Sequence, residues 1–324
     1  MATTLFCGID VSCDSLDICY QACDGFLVHE KLSNDINGFR RLIKLTGKSY
    51  QFVMEATGVY HLPLIFFLHG RKCGFSVVNA VQIKRYIQMH LQRNKSDKKD
   101  ARRICEFGME RRPAVSQLPD NLYFECKTLN HAIRRLTDQM TSLRNQLHSL
   151  VKLPVTTPAV IKSYQKLVRE LAKQRKVLEE ELRHKLSQWQ PELLKRVSSV
   201  TGIGKRASSE LIVYTQGFKG MKSYKQLISY AGLSPLEYSS GSSIRGKSRI
   251  CKQGGKTIRH ILYMCSLSAM KTNRACKQLY ERLVARGKNK KLALIAVCNK
   301  LLKQVFGVVK NQTMFRNDFS VNPT

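Results

Sequence analysis

The chain has 324 residues, room for two or three domains, and 43% of them are hydrophobic, which permits real cores and excludes wholesale disorder. Lys and Arg number 55 against 23 Asp and Glu, a formal net charge of +32. So basic a chain calls for a polyanionic partner, and nucleic acid ranks ahead of an anionic membrane surface because neutralised phosphates release counterions.

Residues 1–110 alternate strands and helices. Leu5 to Val11 is an apolar strand with Asp10 near its end. Leu16 to Ala22 and Phe26 to Leu32 read as the next two strands, joined by a turn at Asp24-Gly25. Asn37 to Thr46 has helical spacing with Phe39, Leu42 and Ile43 on one side. Gln51 to Ala56 is a fourth strand, again ending near a carboxylate, Glu55. A helix from Leu62 to Gly70, a fifth strand from Phe75 to Asn79 and further helices complete the segment. One of those helices holds Asp97 and Asp100. Three strands, helix, strand, helix, strand, helix is the order of a ribonuclease-H-like domain, expected over residues 1–120.

Residues 121–190 differ in kind. Leu129, Ile133, Leu136, Met140, Leu143, Leu147 and Leu150 alternate spacings of four and three, a coiled-coil seam. Pro154 and Pro158 bracket a break, and a second seam runs from Tyr164 to Trp189 with Arg175 in one seam position. This predicts a helical hairpin, with self-association through the seam favoured over a simple intramolecular pair. Residues 191–324 read as a basic, mostly helical domain. Within it, Val200 to Ala207 resembles a helix-hairpin-helix turn whose amides can face a phosphate. Ser223 to Tyr230, Lys256 to Met270, Cys276 to Ala285 and Leu292 to Val309 read as helices. The run Arg286 to Lys291 suits a solvated connector and a phosphate contact equally.

No apolar run reads as long enough to span a bilayer, and Met1 to Thr4 leads into a strand without a basic leader or cleavage site. A soluble, cytoplasmic, nucleoid-associated protein without a membrane partner is the expectation. The eleven cysteines contain no Cys-x-x-Cys pair, their number is odd, and most lie in apolar segments. Neither a structural zinc nor a complete disulfide framework is expected.

Carboxylates retained in so basic a chain need a reason. Phosphoryl transfer on nucleic acid can use two divalent metals, and a hard cation such as Mg²⁺ takes carboxylate oxygens. In the expected fold the strands ending at Asp10 and Glu55 lie side by side, and Asp97 and Asp100, three apart on a helix, share one face. Each acid alone has a plainer reading, a helix N-terminal charge or a strand-end turn. All four in register with one fold favour a metal site; Asp14 and Asp17 are weaker candidates. A second feature is the segment Tyr238-Ser239-Ser240-Gly241-Ser242-Ser243-Ile244-Arg245-Gly246. Its residue types suit a Gly/Ser loop with a satisfied arginine slightly better than a nucleophile. Ser-His-Asp hydrolysis is improbable, since no Gly-x-Ser-x-Gly strand-turn-helix setting exists.

Gly8-Ile9-Asp10, Met54-Glu55-Ala56-Thr57-Gly58, Lys95 to Arg102, Thr201-Gly202-Ile203-Gly204, Tyr230 to Pro235 and Ser240 to Gly246 occur in that order. Together they resemble the DEDD transposases of bacterial insertion sequences, bridge-RNA-guided serine recombinases related to Piv-type DNA invertases. The resemblance spans nearly the whole chain. It implies a RuvC-like domain in which Asp10, Glu55, Asp97 and Asp100 bind Mg²⁺. It also implies a C-terminal transposase domain in which Ser240 attacks DNA and becomes linked to a 5′-phosphate. The implied partners are donor and target DNA, a non-coding bridge RNA and further copies of the chain, as a dimer or as a tetramer on DNA. The active site would combine the acidic domain of one subunit with the serine domain of another. Ser239 and Ser242 compete with Ser240 for the role, and Cys251 stands where relatives commonly carry serine. Two rivals make different predictions: a RuvC-like nuclease of the junction-resolvase type needs no Ser240, and a non-catalytic nucleic-acid-binding protein needs neither acids nor serine.

Overall fold

The computed structural model describes residues 5–22, 25–56, 58–89, 97–236, 239–240, 244–245, 249–252 and 254–317, with backbone alone for Asp97, Ser239, Ser240, Ile244 and Arg245. The chain divides into two compact units, residues 1–119 and 120–324.

The first unit is α/β. Strands β1 (Phe6–Val11), β2 (Ser15–Gln21) and β3 (Leu27–Ser33) precede α1 (Ile36–Thr46), β4 (Gln51–Glu55), α2 (Leu62–Gly70), β5 (Phe75–Val78), α3 (Ala80–Met89) and α4 (Asp97–Arg111). The strand order is β3-β2-β1-β4-β5. The first three strands form an antiparallel meander, while β4 and β5 run parallel to β1, so the sheet is mixed. Alternation along a strand sends successive side chains to opposite faces. Cys7 and Ile9 of β1 join Phe52, Met54, Phe39, Leu42, Leu64 and Leu68 under α1 and α2. Phe6 and Val53 instead meet Ile83 and Tyr86 of α3 and Ile104 and Phe107 of α4. The central strands are therefore covered on both faces. Local signals agree with this plan: the Asp35 side chain caps α1 by accepting from the Asn37 and Gly38 amides, and those bonds hold its carboxyl below the usual range.

The second unit is helical apart from short hairpins. Helices α5 (Asn121–Leu150) and α6 (Pro158–Trp189) pack against one another within the one chain. Near their base, Cys126, Ile133, Leu182 and Leu186 belong to the core they share with later helices. Farther out the seam residues Leu143, Leu147, Tyr164 and Val168 are only half-buried. Arg175, in a seam position, pairs with Glu179 at 3.4 Å. Next come α7 (Pro191–Ser199), α8 (Lys205–Tyr214), α9 (Tyr224–Tyr230), two-residue strands β6 (Pro235–Leu236), β7 (Ser239–Ser240), β8 (Ile244–Arg245) and β9 (Arg249–Ile250), then α10 (Lys256–Thr272), α11 (Arg274–Ala285) and α12 (Lys290–Lys310).

The expectation that no apolar run is long enough to span a bilayer does not hold for the last helix. Helix α12 is long and apolar enough to cross a membrane by length and composition. In this fold it is a core helix: Leu294, Val297, Leu301, Leu302, Val305 and Phe306 are buried, with α7, α9, α10 and α11 packed around it. The run Arg286 to Lys291 links α11 to α12, with Asn289 capping α12 through the Lys291 amide.

Candidate active site

In the first unit, β1 and β4 are paired in parallel with Ile9 beside Met54. One residue further along, Asp10 and Glu55 stand side by side at the carboxyl ends of neighbouring strands, about 4.8 Å apart between strand axes. Both belong to the sheet face that α4 covers, and both are half-buried.

Gly8 makes this possible. It lies two residues before Asp10 on the same face, and a Cβ there would sit 2.1 Å from the Cys105 amide nitrogen and 2.5 Å from the Ala101 carbonyl oxygen. Only glycine lets α4 rest directly on β1. Farther back, a Cβ on Gly108 would meet Phe6 and Val53 at 3.1 Å. These two contacts orient α4 antiparallel to β1, so its N-terminus lies toward Asp10. Two strand residues advance about 6.6 Å and one helical turn about 5.4 Å. Asp97, one turn before Ala101, thus comes to the level of Asp10. Asp100 is half-buried, whereas Lys98, Lys99 and Arg102 face solvent.

Asp10 and Glu55 therefore share one end of one sheet face, and the first turn of α4, whose backbone carries Asp97 and Asp100, starts at the same end. Among the described residues, no three His, Cys, Asp or Glu side chains converge closely enough to hold a metal ion; the side chain of Asp97 lies outside that description. The donor set, carboxylates at adjacent strand ends beneath a helix admitted by glycine, has the oxygen chemistry that a hard divalent cation takes.

Asp17 is part of the same face. It is paired with Asp10 across β1 and β2 and is 6% exposed. His29 Nε2 lies 2.9 Å from its carboxylate, and Lys31 Nζ lies 3.8 Å away. His29 had no part in the sequence reading. Its signal was the alternation of His29 and Lys31 on β3, which places both on the Asp17 face. Behind the acids, the Cys105 thiol is held up strongly by its contact with Cys19, by burial and by the neighbouring thiols, and it donates to the Phe6 carbonyl at 3.4 Å. These cysteines serve as packing between β1, β2 and α4.

In the second unit, Ser240 ends β7, paired with Ile244, while Ser239 is paired with Arg245. Gly241, Ser242 and Ser243 lie outside the described residues, so the choice among the serines stays where the sequence left it. The root of this segment is defined. Pro235 is paired with Ile250, and the Cys251 and Lys252 amides donate to Ser234 and Gly232 at 2.9 and 3.1 Å. Tyr214 Oη donates to the Tyr230 carbonyl at 2.9 Å and accepts from the Gly255 amide at 3.0 Å. Arg259 donates to the Gly254 carbonyl at 2.8 Å. A Cβ on Gly254 would lie 2.5 Å from the Tyr230 carbonyl oxygen, so this crossing too requires glycine.

An α/β unit with strand-end carboxylates, followed by a basic helical unit, is an arrangement compatible with enzymes that act on nucleic acid. The sequence comparisons say which. The IS110-type DEDD transposase family matches residues 7–154, and the transposase family IS116/IS110/IS902 matches residues 194–281. The pilin gene-inverting proteins of Moraxella bovis and Moraxella lacunata are each 28% identical over 330 residues, covering 96% of this chain and 97% of theirs. An uncharacterized 43.6 kDa protein of insertion element IS110 from Streptomyces coelicolor is 25% identical over 184 residues, covering 57% of this chain and 45% of its own. The chain belongs to the IS110 family of DEDD transposases and is a DNA recombinase/transposase.

Proposed function

We propose that this chain is a serine recombinase that mobilises its own insertion sequence under the guidance of a structured RNA. The observation that carries the reading is the alignment of Asp10 with Glu55 at the end of the face crossed by α4, whose first turn bears Asp97 and Asp100. In this reading residues 1–120 are a RuvC-like domain, 121–190 a coiled-coil hairpin and 191–324 the serine transposase domain. The four carboxylates hold Mg²⁺, which when bound supplies charge neutralisation at the scissile phosphate and its departing oxygen. Ser240 Oγ gives up its proton and attacks phosphorus. The bond to the 3′ oxygen breaks, leaving a 5′-phosphoserine and a free 3′-hydroxyl. A 3′-hydroxyl from the second DNA then attacks that phosphorus and releases the serine, so strands are exchanged without a free-ended intermediate.

The partners are donor and target DNA, a non-coding bridge RNA that pairs with both, and further copies of the chain as a dimer or tetramer. The protein works in the cytoplasm on the nucleoid. Support for a polyanion-rich assembly comes from the net charge of +32. The test is recovery of protein–DNA adducts with donor and target DNA, with and without the RNA transcribed beside the reading frame. Ser240→Ala removes the adducts and keeps RNA binding, while Asp10→Asn lowers cleavage more than about a hundred-fold, beyond the loss typical of a group that merely supports a metal ligand. Adducts that persist in Ser240→Ala would move the nucleophile to a neighbouring serine. Cleaved strands free of protein would favour a junction-resolvase reaction that uses water.

A further inference from the structure

The second unit contains a cleft of about 900 Å³ bounded by α5 and by the first turns of α8 and α10. Its wall presents Arg134, Lys205, Arg206, Lys256 and His260 and, among the described residues, one carboxylate, Asp138. Among the described residues, none of those four Lys and Arg side chains forms an ion pair. Two of them are instead held across the cleft by hydroxyls: Arg134 donates to Thr257 Oγ1, and Arg206 donates to Thr137 Oγ1 at 3.2 Å. The guanidinium groups are thus fixed in place; both also lie within electrostatic reach of the buried Glu210 carboxyl of α8, which leaves Lys205 and Lys256 as the cations of the wall with no carboxylate drawn toward them among the described residues.

Both helices that open into the cleft start from a glycine, Gly204 or Gly255, and neither N-cap is satisfied by a side chain. The first-turn amides of a helix have no partner within the helix. Neither first turn carries an acid, and Lys205, Arg206 and Lys256 occupy the positions where a helix dipole disfavours positive charge. Such placement is costly unless an anion sits between the two helix starts. The rest of the wall is uncharged, with Ile261, Met264 and Cys265 beside the hydroxyls of Thr141 and Ser268, a surface suited to sugar rather than to further charge. Among the described residues, no Asn or Gln lines it to read base edges.

We propose that this cleft binds a nucleic-acid backbone independently of sequence, seating one phosphate at the start of α8 with Lys205 and Arg206 and a second at the start of α10 with Lys256. Because α10 begins directly after the serine hairpin, the bound strand is held beside the root of that hairpin. The site is separate from the acidic face, and its occupancy requires neither metal nor Ser240.

The test is equilibrium binding of the full-length protein to random-sequence duplex DNA and, in a parallel arm, to random-sequence RNA, across a salt series. Lys205→Gln/Arg206→Gln/Lys256→Gln is compared with Lys152→Gln/Lys271→Gln/Lys310→Gln, which removes equal charge from exposed positions elsewhere. The cleft variant is expected to bind about ten-fold more weakly and to lose about 2 from the slope of log K against log salt, the loss for two phosphates. The exposed variant should lose no more than a third of that slope. A loss in one arm only assigns the backbone to DNA or to RNA. Lys205→Glu guards against misfolding: an acid in the first turn of α8 suits the helix dipole, so melting should hold or rise while binding falls. Equal losses from the cleft and exposed variants, or undiminished binding by Lys205→Glu, would overturn the proposal. Binding is measured with random-sequence strands and without divalent metal, conditions under which no strand cleavage is expected, which separates this result from the fate of the recombination chemistry.

Discussion

The acidic face and the serine hairpin are built on opposite plans. The acids stand on β1, β4 and α4, elements locked by a sheet buried on both faces, and their positions follow from register and from one helix crossing. The serine stands on a hairpin of two-residue strands, and its position depends on a few polar contacts at the root. Residues that hold a scaffold-built site should fail through stability. Residues that hold a hairpin should fail through geometry, with the fold intact.

The largest expected effect comes from Gly8→Ala. The added carbon cannot coexist with the Cys105 amide at 2.1 Å, so α4 must lift from β1. A cost of about 3 kcal/mol or more is expected, read as a fall in the melting temperature of the first unit together with loss of strand cleavage. A Gly8→Ala protein that melts normally and cleaves would break the link drawn between α4 and the acids. Tyr214→Phe is smaller and tests the other plan. It strips the Gly255 amide of its acceptor and Tyr230 of a donor, at about 1–3 kcal/mol. Adduct formation by Ser240 should fall about ten-fold, with nucleic-acid binding retained. Equal loss of both would mean that the tyrosine supports the unit as a whole.

The smallest effect is at Glu210, buried in α8, whose carboxyl is pushed up by desolvation and partly drawn back by Arg134, Asn130 and Arg206. A raised carboxyl binds its proton more tightly when folded. Its favourable contribution is complete below the unfolded range, about 4.3, and is lost as pH rises through the folded value. Glu210→Gln should therefore melt like the parent in acid and progressively above it toward neutrality. A pH-independent difference would assign the effect to packing.

Much of the first unit was legible in the sequence because its signals are local. The strand at 51–55 and the helix at 62–70 are apolar runs bounded by turn residues, and β1 to β3 alternate as a meander must. The candidate acids were legible because each sits at the end of such an element. What escaped was contact across the chain. The pairing of Asp17 with His29 depends on the β2–β3 register, and the demand for glycine at position 8 comes from a helix almost a hundred residues later. The cleft has walls from three helices far apart in sequence, and no window along the chain contains them. The helix at Leu292 to Val309 is legible from its spacing, but its apolar length is not, because Asn299, Lys300, Lys303 and Gln304 interrupt the stretch while eighteen consecutive positions still average out as hydrophobic.

The crossing at Gly8 also bears on how damaged copies of this gene would look. Position 8 has no side chain to bind a metal or touch DNA, yet every replacement there separates the platform that carries two acids from the helix that carries the other two. In a saturation mutagenesis experiment scored by transposition, its tolerance profile should be as empty as those of Asp10 and Glu55. Ranking positions by intolerance alone would then enrol a glycine among the chemical groups, and only a folding readout would sort it out again.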